Sequence, residues 1–319
     1  MRNVHGKPAG RSARLMVFSL LATALVCGAA FWGGTTAEAN HPVLVEGNCD
    51  SPVPGTTLVA FGTCGDFDGD GRIGTAEDTD GADRIFGTLR AALGPGAGAA
   101  AGTGANFNGR IIIVASGRFS ELLYIGNNSI DPNVGSADPG NVTIEAAPGV
   151  EANIDAVFQG DPAGNNNLRQ GRPGIIINYL PAFSDRVVTL RNLMIRNYLV
   201  GVDVTGNSRV QIDNCRFESN LRSNIRVRGG ADVVVTNSQI ESAGFRVGSA
   251  PSTGPGNGVE VAESAKLRLM ETTISNNKGP GINNSAPGAN VVLFKVSTYF
   301  NAPNVMGPVT VAPDPNHSF

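Results

Sequence analysis

The stretch "GVDVTGNSRVQIDNCRFESN" (201–220) decides the fold, because the chain repeats its pattern three more times. A period of about 23 residues runs through the four copies, and an insertion of 11 residues separates the second copy from the third. A fixed period of this length is typical of a solenoid, whose repeats are stable only when stacked on their neighbours. The other copies are "NIRVRGGADVVVTNSQIESA" (224–243), "GVEVAESAKLRLMETTISNN" (258–277) and "GINNSAPGANVVLFKVSTYFN" (281–301).

Each copy contains short runs in which apolar and polar residues alternate. Val202 and Val204 bracket Asp203, and the later copies repeat this alternation in register. Alternation of this kind is typical of a strand with one buried face. Gly, Asn, Ser and Asp separate three such runs per copy, and these are turn-forming residues. The sequence therefore predicts three short strands per turn of a parallel β-helix.

Asparagine recurs at two fixed phases of the repeat. Asn side chains stacked along the coil axis can hydrogen-bond to one another, which satisfies buried amides and fixes the shape of the turn. The alternative is that Asn is simply frequent in turns. The first column is Asn192, Asn214 and Asn237, and the second is Asn197, Asn220 and Asn277, interrupted by Ala243.

The chain resembles the right-handed parallel β-helix proteins of the pectin lyase-like superfold over roughly 85–301. The segments "GRIIIVASGRFSE" (109–121) and "VTIEAAPGVEANI" (142–154) look like the first two coils of such proteins. This resemblance implies an all-β fold, with a β-helix of about nine or fewer coils at 110–305 and a tail at 306–319. It does not reach a catalytic motif, because the adjacent Asp-Asp pair and the Gly-His-Gly of polygalacturonases are missing.

The N-terminal 39 residues have the pattern of a secretory signal peptide. Basic residues lie in 1–14, an apolar run fills 15–32, and "TAEA" (36–39) offers a cleavage site after Ala39. We therefore expect a secreted, periplasmic or cell-surface protein with no membrane span after cleavage. The alternative is an uncleaved membrane anchor, because 18 apolar residues are just long enough to span a bilayer.

The charge of the chain argues against nucleic acid as a partner. Without residues 1–39 the chain has 20 basic and 26 acidic residues, a net charge of −6. Phosphate binding needs a basic face, so we expect no nucleic-acid ligand. In an exported protein, Cys49 and Cys64 are predicted to form a disulfide, whereas Cys215 is predicted to be a buried thiol.

The segment "DFDGDGRIGTAE" (66–77) matches the 12-residue calcium loop of EF-hands and resembles the loops of dockerin modules. Ca²⁺ prefers six to eight oxygen ligands, and alternate carboxylates in a tight loop supply them. We therefore expect one structural Ca²⁺ site; the alternative is an acidic surface turn. The predicted ligands are Asp66, Asp68, Asp70, the carbonyl of Arg72, and Glu77.

A helix is predicted at 81–93, at the end of an N-terminal segment that spans 40–93. Its apolar residues fall on one helical face, and it would cover the open end of the solenoid. A Gly- and Ala-rich linker (94–109) follows it. The apolar face consists of Ile85, Phe86, Leu89, Ala92 and Leu93.

The outward residues of the first strand in each copy form the candidate site: Asp203, Arg226, Glu260 and Asn283. In one reading Asp203 and Glu260, two coils apart, act as the acid and base of an inverting hydrolase. In a variant of that reading Arg226 acts as the base of a polysaccharide lyase, or it binds a uronate carboxylate. In the other reading acid, base and acid form a salt-bridged ladder.

Three Gly-, Asn- and Pro-rich loops, 126–141, 159–173 and 246–258, are either the frame of a binding surface or tolerated insertions. The 40–319 region contains no tryptophan, the flat aromatic platform that sugar grooves usually present. We therefore expect an exported calcium-binding β-helix protein that binds a polysaccharide or another cell-surface ligand without catalysis. The alternative is a polysaccharide lyase or glycoside hydrolase.

Overall fold

Three parallel β-sheets wind around a common apolar interior, as the repeat predicts. The computed structural model describes residues 43–45, 84–86, 89–93, 110–114, 116–126, 141–156, 171–245 and 254–313. Sheet 1 has ten strands, and sheets 2 and 3 have seven each within these residues. Every pairing between strands is parallel, and each coil contributes one strand to each sheet in the order 1, 2, 3.

The strands are short, and their bounds are as follows. Sheet 1 consists of β1 (Val43–Val45), β2 (Arg84–Phe86), β3 (Arg110–Ile113), β6 (Val142–Ala146), β9 (Val187–Arg191), β12 (Arg209–Asp213), β15 (Asp232–Thr236), β18 (Lys266–Met270), β21 (Asn290–Phe294) and β24 (Thr310–Val311). Sheet 2 consists of β4 (Gly117–Phe119), β7 (Ala152–Asp155), β10 (Leu193–Arg196), β13 (Arg216–Glu218), β16 (Gln239–Glu241), β19 (Thr273–Ser275) and β22 (Ser297–Tyr299). Sheet 3 consists of β5 (Leu123–Gly126), β8 (Pro173–Tyr179), β11 (Val200–Gly206), β14 (Ser223–Val227), β17 (Asn257–Val261), β20 (Ile282–Asn284) and β23 (Val305–Met306). A 3₁₀ turn (Pro181–Phe183) and a helix, α1 (Leu89–Leu93), complete the described elements.

The register of the sheets confirms the alignment of the repeat. Val202 lies beside Ile225, which lies beside Val259, and Ile282 follows on the next coil. These residues are fully buried, whereas outward residues of the same strands are partly exposed or ion-paired. Because one aliphatic side chain per strand position stacks on the next, the interior is a continuous apolar column.

Seven complete coils are described, from β3–β4–β5 to β21–β22–β23. Additional strands extend sheet 1 at both ends: β1 and β2 lie before β3, and β24 lies after β21. The segment 306–319 was expected to be a tail, but Met306 and Thr310–Val311 continue the strands. They do so because their backbone groups pair with the open edge that the preceding coil leaves.

The predicted N-terminal helix is correct only in its last part. Arg84–Phe86 forms strand β2, which pairs with β1, and only Leu89–Leu93 is helical. The expected helical face therefore breaks between Phe86 and Leu89. Gly87 lies between the two elements in sequence, and glycine disfavours continuation of a helix. Strand pairing also satisfies the open edge of β1, which a helix at 84–86 would leave unpaired.

The short helix α1 covers one end of the apolar column. Leu89, Ala92 and Leu93 are buried in the same cluster as the interior of the coils. The carboxylate of Glu121 accepts hydrogen bonds from the backbone N–H of Leu89 (2.9 Å) and of Arg90 (2.7 Å). A carboxylate at this position satisfies the first free N–H groups of a helix and complements its dipole. No helix within the described segments is long and apolar enough to cross a membrane.

The first asparagine column marks the turn between sheets 1 and 2. Asn192, Asn214 and Asn237 all adopt positive φ (57°, 50° and 50°), which Asn tolerates better than most residues. The side chain of Asn214 donates to that of Asn192 (2.8 Å), but Asn237 donates to Asp213 (3.0 Å). The predicted ladder is therefore confirmed between two rungs and diverted to a carboxylate at the third.

The prediction for the second asparagine column is wrong by one residue at its first member, Asn197. Arg196 lies beside Glu218, so Tyr198, and not Asn197, lies beside Asn220. The repeat is one residue shorter here than the spacing of 23 assumed. Buried Asn220 accepts from the backbone N–H of Tyr198 (3.0 Å), and Asn277 accepts from that of Ala243 (2.9 Å). Asn301, not predicted, continues the column by accepting from Asn277 (2.8 Å).

The gap at Ala243 is filled by a side chain from a neighbouring position, Asn224. At the other rungs a glycine faces the ladder amide; a Cβ on Gly201 would lie 2.8 Å from Nδ2 of Asn220. At the exceptional rung Asn224 replaces the glycine, and its amide donates to the carbonyl of Glu241 (2.9 Å) and to Asn277 (3.3 Å). The four rungs of Asn220, Asn224, Asn277 and Asn301 therefore hold one amide each, whereas at the rung before them the ring of Tyr198 faces Gly174. The Gly–Asn pairs are Gly201 with Asn220, Gly258 with Asn277, and Gly281 with Asn301.

Candidate functional site

The outer face of sheet 3 contains the predicted candidate residues in the predicted register. Asp203 lies beside Arg226 on the next coil, and Arg226 lies beside Glu260 on the coil after that. Towards the N-terminal end the same file continues through Ile176 to Tyr124. The structure therefore brings the three candidate residues together on one surface.

Asp203 is the centre of a doubly paired ion cluster. The residue is only 1% exposed. Arg226 donates from Nε to Oδ1 (2.9 Å) and from Nη2 to Oδ2. Arg228, the first residue after the end of β14, donates from Nε to Oδ1 (3.3 Å) and from Nη2 to Oδ2 (3.1 Å). Both guanidinium groups therefore grip the carboxylate with two hydrogen bonds each.

These contacts keep Asp203 ionised. Burial alone would raise the pKa of the carboxyl, but the hydrogen bonds and charges of Arg226 and Arg228 outweigh burial and lower the pKa. A carboxyl with a lowered pKa is a poor proton donor near neutral pH. As a base it is already occupied by four donated hydrogen bonds.

Glu260 is engaged by different partners. Arg222 donates from Nε to Oε2 (3.2 Å) and from Nη2 to Oε1 (2.9 Å), and the hydroxyl of Ser223 donates to Oε2 (2.8 Å). Burial would raise the pKa of Glu260, but these hydrogen bonds and the charge of Arg222 hold it below the usual value. The contacts of Asp203 and Glu260 therefore correspond to the salt-bridged reading, with Arg222 as an additional member that takes the place of Arg226 as the partner of Glu260.

Ion pairs of this kind recur on sheet 2. Arg196 pairs with Asp155 (2.9 Å) and Glu218 (3.0 Å), and Arg216 pairs with Glu218 (3.0 Å) and Glu241 (2.7 Å). Acid and base alternate across four coils in this chain of contacts. Charge ladders are thus a general way in which this solenoid covers its outer faces.

A cleft of about 300 Å³ opens beside the Asp203 cluster. Its charged side is formed by Asp203, Arg172, Arg226 and Arg228. The apolar part of its lining consists of Leu122, Tyr124, Pro173 and Ile176. Arg228 was not predicted; the alternation "RVR" (226–228) would have indicated it, because residues two apart in an extended segment share a face.

A longer groove of about 670 Å³ follows the turn between sheets 1 and 2. Side-chain amides from successive coils line it, together with Glu151, Met194 and Arg216. Within the described part of the chain, the Oδ1 atoms of Asn214 and Asn237 accept no hydrogen bond, which leaves acceptors for a ligand. The amide residues are Asn153, Asn192, Asn214, Asn237 and Gln239.

The other predicted sites lie partly outside the described residues. The calcium ligands Asp66, Asp68, Asp70, Arg72 and Glu77, and the cysteines Cys49 and Cys64, lie outside the described residues. In the described segments, no group of three or more His, Cys, Asp or Glu side chains is placed to hold a metal ion. Cys215 is buried as predicted, and burial raises the pKa of its thiol to about 12.

Comparison with known proteins agrees with the fold. A family model described as "Right handed beta helix region" matches residues 163–297. The crystal structure of pectate lyase Pel9A is similar at 15% sequence identity, over 63% of this chain and 68% of that one, with a TM-score of 0.33. A similarity of this size carries no argument about activity. No curated protein sequence matches the chain. The chain folds as a right-handed parallel β-helix.

Proposed function

We propose that this protein is an exported, calcium-binding β-helix protein that binds a glycan outside the cell without cleaving it. Export is proposed from the signal-like segment 1–39, and calcium binding from the donor pattern of 66–77. The non-catalytic part of the proposal depends on one observation: Asp203 is buried and doubly paired with arginine. A carboxylate in this state supports the fold and is not poised for proton transfer.

The amide groove supports a neutral or weakly charged glycan as the ligand. Carboxamides offer both donors and acceptors, which match the hydroxyl groups of sugars. Because the amides come from successive coils, the groove presents similar groups at the coil spacing of about 4.8 Å, comparable with a repeating polymer. Met194 contributes apolar surface to the groove.

Binding and cleavage are tested together on the mature protein. A panel of neutral and acidic polysaccharides is incubated with it, and absorbance at 235 nm, reducing ends and heat of binding are measured. We expect binding to at least one member and no product from any. Unsaturated product or new reducing ends would establish the alternative, a polysaccharide lyase or glycoside hydrolase.

The groove is tested with Gln239→Ala and Asn153→Ala, which remove amides from strand positions without a positive φ. Each is expected to weaken glycan binding about three- to tenfold, the effect of one neutral hydrogen bond. The matched control is Asn290→Ala, an exposed amide on β21 outside the groove. Equal binding by all three variants would place the glycan elsewhere.

Calcium binding is tested by calorimetry on the mature protein. We expect about one site, as for a single loop of this type, and loss of the site in Asp66→Ala. Asp185→Ala, at an exposed aspartate outside the loop, serves as the control and should bind as the wild type does. Absence of binding by the wild type would contradict the motif.

A further inference from the structure

The two arginines on Asp203 each have a second hydrogen-bonding edge that is still available. A guanidinium group offers a side edge, Nε with Nη2, and an end edge, Nη1 with Nη2. Arg226 and Arg228 both use the side edge for Asp203. Within the described residues, Nη1 of neither arginine has a hydrogen-bond partner, and neither atom is buried without one.

The available edges belong to side chains that line the cleft of about 300 Å³. The side chain of Arg226 is 15% exposed and that of Arg228 is 36% exposed, so both are restrained while still reachable. Arg226 and Arg228 share the single carboxylate of Asp203 at the cleft, which leaves an excess of positive charge there. The excess is local, because the whole chain has a net charge of −3. The cleft therefore favours an anion.

The apolar lining of the cleft limits which anion fits. Leu122, Tyr124, Pro173 and Ile176 present apolar surface, so an ion surrounded by water on all sides gains nothing from it. A volume of about 300 Å³ is at the lower end of the range for small-molecule pockets. The combination suits a carboxylate attached to a body of about one ring.

We propose that this cleft binds a small organic acid, whose carboxylate contacts the end edges of Arg226 and Arg228 and whose single apolar ring lies against Tyr124 and Ile176. Asp203 is a positioning residue in this site, because it fixes both guanidinium groups in one orientation. A preorganised pair loses little side-chain entropy when the anion binds. The site is separate from the amide groove, and it stands or falls independently of glycan binding.

The first test uses the wild-type protein and four probes in calorimetry: benzoate, cyclohexanecarboxylate, benzamide and acetate. Benzoate and cyclohexanecarboxylate are expected to bind one-to-one. Benzamide has the ring without the charge, and acetate has the charge without the ring. Each should therefore bind at least about tenfold more weakly. Equal affinity for benzoate and benzamide would overturn the role of the arginines, and equal affinity for benzoate and acetate would overturn the role of the apolar wall.

The second test uses Arg228→Gln, which removes the more exposed guanidinium and leaves Arg226 on Asp203. Benzoate binding should weaken about tenfold or more, the effect of a lost charged hydrogen bond. Arg268→Gln is the matched control, because Arg268 pairs with one aspartate, Asp232 (2.9 Å), on the outer face of sheet 1. The same loss in both variants, or no loss in Arg228→Gln, would overturn the proposal.

Glucuronate, a carboxylate on a hydroxylated ring, separates this site from a glycan site. It should bind more weakly than cyclohexanecarboxylate, because its hydroxyl groups lose water against the apolar wall. Tighter binding of glucuronate would overturn the apolar ring and assign the cleft to acidic sugars.

Discussion

Asp203 shows how a side chain in an outward phase of the sequence repeat can be buried in an ion cluster in the fold. Its phase on the strand and its spacing to Glu260 are readable from the repeat. The second arginine is not, because the sequence does not say whether Arg228 turns outward to solvent or back towards the preceding coil. Tyr124 and Ile176 are also beyond sequence reasoning, since the loops before and after them shift the repeat out of phase.

We expect Asp203→Asn to destabilise the protein by about 3 kcal/mol, because Arg226 and Arg228 lose the counter-charge of a carboxylate that is almost fully buried. Asp232→Asn is the matched control. Asp232 pairs with Arg268, and its side chain is 32% exposed, so the loss of stability should be below about 1 kcal/mol. Chemical denaturation of both variants gives the two free energies. Equal losses would mean that Asp203 is better solvated than its burial indicates.

The same cluster predicts a dependence of stability on pH. The pKa of Asp203 is lowered from 3.8, so its ion pairs contribute fully above that value and are lost as pH falls below it. Glu260 behaves alike below 4.5. The difference in unfolding free energy between wild type and Asp203→Asn should therefore shrink as the pH is lowered from about 4 to about 2. A difference that stays constant over this range would contradict the lowered pKa.

At the level of the element, the turn between sheets 2 and 3 is more regular than its sequence. Each of four successive rungs contains one amide in a fixed space, supplied by Asn220, Asn277 or Asn301, and at one rung by Asn224. The repeat indicated the column and the break at Ala243. It did not indicate the substitute, because Asn224 comes from the strand after the turn. The prediction of a helix at 81–93 was wrong in its first part, because Arg84–Phe86 pairs as a strand with the open edge of β1.

Because Asn224 supplies the amide that Ala243 lacks, we expect the effects of mutating these two residues on the free energy of unfolding to be strongly coupled. Asn224→Gly removes the hydrogen bonds that Asn224 makes with the carbonyl of Glu241 and with the amide of Asn220, at a cost of about 2 kcal/mol. Ala243→Asn places a second amide in an occupied space, at a cost of about 1–3 kcal/mol.

The double variant restores the Gly–Asn arrangement of the other rungs and should lie within about 1 kcal/mol of wild type. Free energies of unfolding for the four proteins complete the cycle. Simple addition of the two single losses would contradict the one-amide rung.

For the whole molecule, the order of coils and the presence of a cap could be predicted from the sequence. The strands β1, β2 and β24 could not, because they lie outside the aligned repeats. The two ends differ. Helix α1 packs at one, whereas Phe300 (78% exposed) and Val311 (72% exposed) lie near the other.

Because a solenoid couples each coil mainly to its neighbours, damage to the cap should remain local. Glu121→Gln keeps only one acceptor for the two N–H groups of α1, and the cap should weaken by about 1 kcal/mol. Hydrogen exchange should become faster in α1 and stay unchanged in β12 and β15. The control is Glu151→Gln, at an exposed glutamate of a turn. Uniformly faster exchange along the chain would contradict local coupling.

The exceptional rung has a consequence for how the chain finds its own structure. Near-identical coils invite mispairing, in which a newly formed turn stacks on the wrong predecessor and the whole series slips by one unit. A slip past Asn224 and Ala243 would crowd two carboxamides into one place and leave the adjacent place vacant. This irregularity distinguishes one coil from its copies and so helps to set the register in which the coils stack.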